Sequence, residues 1–162
     1  MALPTLENLH RAREFGLARY DASRQQGRRH RYGGSQRYTP EELRERDGQS
    51  AAAEYLASCL LNRAWLANRL VPDDPKLGDL EGGVQVRWTE YPQGRLAVHE
   101  TDPEHNSYLL VVEVLPHMRL VGWIPGLEAM APYWWEVNQD WPAFMVKQHA
   151  LRPWEELINA VP

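Results

Sequence analysis

The sequence has one cysteine, Cys59, so no intramolecular disulfide and no cysteine-rich zinc site can form. Lysine is nearly absent: Lys76 and Lys147 stand against sixteen arginines. No stretch of 18 apolar residues occurs, which removes a transmembrane helix from expectation. The opening MALPTLENLHRAREF lacks the basic start, apolar stretch and small-residue cleavage site of a signal peptide. A cytoplasmic protein is therefore expected. Neither a phosphate-cradling G-x-x-x-x-G-K-[ST] loop nor a G-x-G-x-x-G turn is present, so nucleoside triphosphate and dinucleotide chemistry get no support. His99, His105, His117 and His149 show no metal-ligand spacing. Cys59, inside an apolar helix face, reads as a packed thiol rather than a nucleophile.

What is present suits one soluble α+β domain. The 162 residues suffice for a core without staples, and 43% apolar with 25% charged residues is ordinary for a globular chain. The net charge of -4 conceals an asymmetry. Residues 1–50 carry ten arginines against seven acids; residues 51–162 carry eight basic residues against fifteen acids. Arginine binds phosphate through a planar fork, so this bias fits nucleic acid. It fits a GC-rich coding sequence equally well. Arg24, Arg28, Arg29, Arg31 and Arg37, interleaved with His30, Tyr32 and Tyr38, have the composition of a grip on phosphates and bases. The alternative is a basic loop with no partner.

Helical spacing covers 5–25. Thr39-Pro40-Glu41-Glu42 starts a second helix that should stop near Gly48, and Ser50 starts a third over about 50–69. VPDDP at 71–75 then breaks the chain. Strands are expected at 84–91, 95–100, 108–115 and 119–124, rich in branched and aromatic residues and joined as antiparallel neighbours. A short helix near 127–135, a short strand within 141–151 and a helical turn at 153–158 close the chain. Most of the seven tryptophans, six of them in the C-terminal half, should be core or sheet cover. Helices followed by strands argue for α+β architecture.

Four polar residues stand out. Glu54 is an acid among alanines in AAAEYLA, near the face that should pack on the sheet. Asp79 precedes Gly82-Gly83 and the first strand. Gln85 and Arg87 are two apart and share one strand face, opposite Val84, Val86 and Trp88. The bland readings are an ion-paired helix acid, a turn aspartate and an ordinary solvated sheet face. The sharper reading is convergence on one cleft.

Glu54 on its helix, then Asp79 and Gly82-Gly83-Val84-Gln85-Val86-Arg87, then further strands, resembles the PD-(D/E)XK (restriction-endonuclease-like) nuclease superfamily. In particular it is similar to small phage and prophage proteins of this size. Val121-Gly122-Trp123-Ile124-Pro125-Gly126-Leu127-Glu128-Ala129 and the tail Val146-Lys147-Gln148-His149-Ala150-Leu151-Arg152-Pro153 add to it. The likeness covers about 48–158 and leaves 1–47 as an N-terminal helical, arginine-rich extension. It implies a helix followed by a mainly antiparallel sheet flanked by helices. It further implies a metal-dependent nuclease hydrolysing DNA phosphodiester bonds with Mg2+ or Mn2+. Asp79, Gln85 and the Val86 carbonyl would hold the ion. Glu54 would add a ligand or hold a water, and Arg87 would stabilise charge. Position 85 holds glutamine where the family has an acid, and position 87 arginine where it has lysine. The alternative is therefore an inactive nuclease-fold module that binds DNA or a protein partner, such as a phage accessory or inhibitor protein in the host cytoplasm. A homodimeric structural protein is a third reading.

Overall fold

The computed structural model describes residues 4–27, 38–66, 77–114, 117–137 and 142–159. Helix α1 (Leu6–Gln25) begins where the Thr5 side chain accepts the Asn8 N–H at 3.2 Å. Helix α2 (Pro40–Leu61) opens with a reciprocal cap. Thr39 Oγ1 accepts the Glu42 N–H at 3.2 Å, and Glu42 Oε2 accepts the Thr39 N–H at 2.7 Å. Proline at the first position suits the missing donor there.

Gly48 does not stop this helix. It is the point at which α1 crosses α2. A methyl group on Gly16 would lie 2.5 Å from the Asp47 carbonyl oxygen and 2.8 Å from Gly48 Cα. The two glycines let the backbones approach, so the expected break near 48 and the start at Ser50 are replaced by one continuous helix. The expected boundary at 47/48 falls inside α2, and α1 packs along α2. That helix ends at Leu61 rather than 69, because Asn62 turns left-handed (φ 52°) and caps it. Gly16→Ala should wedge the crossing apart. Overpacking of this kind costs about 1–3 kcal/mol, readable as a lowered midpoint in urea without a changed slope.

Among the described residues six strands follow: β1 (Val84–Thr89), β2 (Leu96–Val98), β3 (Ser107–Val114), β4 (His117–Pro125), β5 (Trp135–Val137) and β6 (Pro142–Val146). They form two three-stranded sheets, ordered β1-β3-β4 and β2-β6-β5. The β1–β3 pair is parallel and the other pairs antiparallel, which corrects the expected antiparallel run through the first three strands. The reason lies at β1. Leu80 bridges Val84 on one edge, so β2 cannot pair there and joins the second sheet through Leu96 and Val98 opposite Val146 and Phe144. β3 then lies beside β1, buried on both faces as a central strand should be.

The helix expected near 127–135 is also shorter. Helix α3 covers Gly126–Ala129, Pro132–Trp134 forms a 3-10 turn, and Trp135 already pairs with Phe144 in β5. Pro132 lacks the N–H that a continuing helix would need. Near the end, Trp123 and Arg152 exchange backbone hydrogen bonds of 3.0 and 2.8 Å, so the Gly-Trp-Ile and Leu-Arg-Pro segments meet. Helix α4 (Glu156–Asn159) closes the described chain.

The first sheet separates two cores. Ala53, Leu56, Ala57 and Leu61 of α2 pack on Val84, Val86, Leu109, Val111 and Trp123. Tyr108, Leu110, Val112 and Ile124 face the second sheet at Leu96, Val98 and Val146. The architecture is thus α+β in three layers: helical pair, sheet, sheet. Among the described residues no helix is long and apolar enough to cross a membrane.

Candidate functional site

The site lies at the outer edge of β1. Gly82 (φ 81°) and Gly83 (φ 69°) adopt a conformation that side chains disfavour, and they fold residues 79–80 back against the strand. The Asp79 N–H donates to the Val84 carbonyl at 2.9 Å, and Asp79 Oδ2 accepts the Val86 N–H at 2.7 Å. Peptide groups alternate along a strand, so the Val86 carbonyl faces this same edge. Asp79 Oδ1 accepts no hydrogen bond among the described residues.

Glu54 reaches the same place from α2. It is only 4% exposed, and its carboxylate is densely bonded. Arg19 of α1 donates NH2 to Oε1 at 3.0 Å and NH1 to Oε2 at 3.1 Å. The Trp65 indole donates to Oε2 at 3.0 Å, and Ser50 lies 3.4 Å from Oε1. Trp65 also ties this cluster to Asp79, because its backbone bridges Leu80 and the Leu66 N–H donates to the Asp79 carbonyl at 2.8 Å. Burial first, and the Glu54 carboxylate second, push the Asp79 pKa up to about 7. Arg87, the Val86 N–H and Arg19 pull the other way. Two acids from separate elements therefore share one site.

Gln85 and Arg87 occupy the face of β1 toward the second sheet. Gln85 is buried, with Oε1 3.4 Å from Arg87 NH1. Arg87 is anchored by the Asp102 carboxylate at 2.6 Å and the Ala97 carbonyl at 3.2 Å, and its guanidinium stacks over the Tyr108 ring at 5.3 Å. Burial works to lower the Arg87 pKa, but Asp102 and then Asp79 outweigh it and hold the group charged. Burial likewise works to raise Asp102, yet Arg87 and the His99 N–H keep that carboxyl below its usual range. Arg87 is thus a fixed positive charge that acts on Asp79 from within the sheet layer.

Sequence reasoning missed three members. Arg19 was one arginine among many, but it follows Ala12 and Gly16 on the buried stripe of α1, which is the available signal. Asp102, before Pro103, read only as part of a turn. Trp65 follows the helix with no pattern to mark it. The phosphate grip fares differently. Arg28, Arg29, Arg31 and Arg37 lie outside the described residues. Arg24 is exposed in the last turn of α1, beside Asp21 and Arg44. The other helical arginines are engaged: Arg11 with Glu7, Arg13 with Glu45, Arg44 with Asp21 and Arg46 with Glu90. Part of the basic surplus is therefore spent on holding α1 against α2.

The donors fit a hard cation in small number. Asp79 Oδ1 is an oxygen donor at the half-buried edge of β1, and the carbonyl of Val86, a residue only 4% exposed, faces the same edge; burial first and Glu54 second favour the protonated form of Asp79. Glu54 offers no spare lone pair, and Gln85 offers only a neutral amide oxygen. Among the described residues no group of three or more histidine, cysteine or acidic side chains could hold an ion. Compared with protein-family models, curated proteins and solved structures, the chain finds no match.

Proposed function

We propose that this chain is a divalent-metal-dependent deoxyribonuclease with a restriction-endonuclease-like core. The observation that carries the reading is the shared site of Asp79 and Glu54 at the Val86 edge of β1, with Arg87 fixed beside it. The helix, strand and tail segments that suggest the superfamily support it by their order. A Mg2+ or Mn2+ ion bound there supplies an activated water and neutralises charge on the scissile phosphate. Asp79 would hold the ion through Oδ1, its other oxygen being fixed by the Val86 N–H at 2.7 Å. Arg87 cannot take a proton from water at any ordinary pH, so its part is electrostatic. Arg24 and the basic run behind it would hold the DNA backbone.

One observation favours a second reading. Glu54 is saturated and position 85 is neutral, so an inactive DNA-binding or protein-binding module would keep the same fold. Plasmid and single-stranded DNA incubated with Mg2+, Mn2+ or chelator separate the two. The nuclease reading expects metal-dependent cleavage that falls about 100-fold or more in Asp79→Ala, because the ion is worth several kcal/mol in the transition state. Cleavage that survives in chelator or in the variant overturns it. Gel shifts that weaken steeply with salt, without cleavage, favour the binding module.

A further inference from the structure

A cavity of about 870 Å³ opens between the first turns of α2 and the ends of β1 and β3. Neither Asp79 nor Glu54 lines it. Its volume is that of a small-molecule site. Two kinds of wall meet there. One is aromatic and apolar: Tyr38, Trp88, Tyr91 and Val114, of which Tyr91 is 60% and Val114 43% exposed. The other is acidic: among the described residues five glutamates line the cavity against a single arginine, Arg46. We infer that this cavity binds a linear polyamine, an alkyl chain carrying separated ammonium groups.

The charges that remain open decide the ligand class. Glu42 caps α2 through the Thr39 N–H, Glu45 pairs with Arg13, and Glu90 pairs with Arg46 at 2.8 Å. Glu41 and Glu113 have no ion pair among the described residues. Glu41 stands in the first turn of α2, where the positive helix end keeps it ionised, and Glu113 stands near the end of β3. Two open carboxylates on separate elements suit separated charges, not one compact ion. Among the described residues no group of three acidic, histidine or cysteine side chains could hold a metal. The aromatic wall already carries an organic cation of this chain. The Arg46 guanidinium lies 4.6 Å from the Tyr38 ring centroid and 5.1 Å from that of Trp88. Methylenes between two ammonium groups would cover the exposed Tyr91 and Val114. Burial raises the Glu113 pKa, the Trp88 indole opposes this and Glu90 adds to it, so an ammonium beside Glu113 relieves a standing cost.

Calorimetric titration of the full chain with spermidine at low salt tests this, with thermal melts as the second readout. Wild type should bind one spermidine per chain, gain in Tm, and release the ligand as salt rises. Glu113→Gln should weaken binding about 10-fold, the worth of one hydrogen bond to a charged group. Glu41→Gln, at an exposed position, should do the same and serves if the Glu113 variant does not fold. Tyr91→Ala should weaken binding several-fold by removing a ring face. Glu100→Gln removes an exposed acid outside the cavity and should leave binding unchanged. No saturable binding, equal weakening in Glu100→Gln, or displacement of spermidine by equimolar Mg2+ overturns the inference, because each means diffuse counterion attraction at most. A Gly-Arg-Gly-Arg-Gly peptide that saturates the cavity where spermidine does not also overturns it, and assigns the cavity to a basic protein segment.

Discussion

Glu54→Ala is expected to lower stability by about 3–5 kcal/mol, the range seen when one partner of a buried ion pair is removed. For a chain of this length that is a fall in Tm of about 10 °C or more. The cost does not come from the lost bonds alone. Arg19 keeps its charge in a buried position with no carboxylate opposite it, and the Trp65 indole N–H loses its acceptor at 3.0 Å. The control is the apolar pair Arg19→Met with Glu54→Leu. It removes both charges and keeps most of the volume, so it should recover much of the loss. Circular dichroism melts of the two single variants and the double variant give the coupling. A Glu54→Ala change within about 1 kcal/mol of wild type would mean that water reaches the pair and that the buried cluster is wrong.

The element types were legible because they rest on local rules. Thr39-Pro40 with Glu42 is a cap in any context, and apolar runs with branched and aromatic residues such as Tyr108 to Val114 form strands wherever they can be buried. What escaped was decided by contacts distant in sequence. Gly48 looks like a stop until Gly16 is placed against it. β1 and β2 look like hairpin neighbours until residues 79–80 are seen on the β1 edge. The short β2 has only two inward side chains, Leu96 and Val98, and goes where they are best covered.

The site was half legible for the same reason. Glu54, Asp79 and Arg87 announce themselves because a charged residue in an apolar frame needs a partner. The partners do not announce themselves. Arg19 lies 35 residues from Glu54, and Asp102 lies 15 from Arg87. Composition made the arginines of the first fifty residues look like one outward-facing phosphate grip. The ion pairs from α1 to α2 show that several of them face inward or sideways to carboxylates.

Asp79 makes stability depend on pH in a direction unusual for an acid. Its carboxyl takes up a proton near pH 7 in the folded chain but near its ordinary value of 3.8 when unfolded. Between those values the folded protein holds a proton that the unfolded chain has released. Raising the pH therefore favours unfolding. The contribution is fully present below about pH 4 and is lost as pH rises through 7. Solvent still reaches part of the residue, so about 2 kcal/mol is expected rather than the value of full burial, or about 4–8 °C of Tm between pH 5 and 8 in chelator. Asp79→Asn keeps an acceptor for the Val86 N–H and cannot titrate, so its melts should lose this fall and keep the opposite trend from His99, whose burial holds its pKa below the usual value. Glu54→Ala should flatten the profile in part, since Glu54 is the second cause after burial. Mg2+ should restore the wild-type Tm at pH 8 and leave Asp79→Asn unmoved, because a cation and a proton compete for the same oxygen. A wild-type profile no steeper from pH 5 to 8 in chelator than that of Asp79→Asn would show that Asp79 does not hold the extra proton, and the shift assigned to it would be overturned.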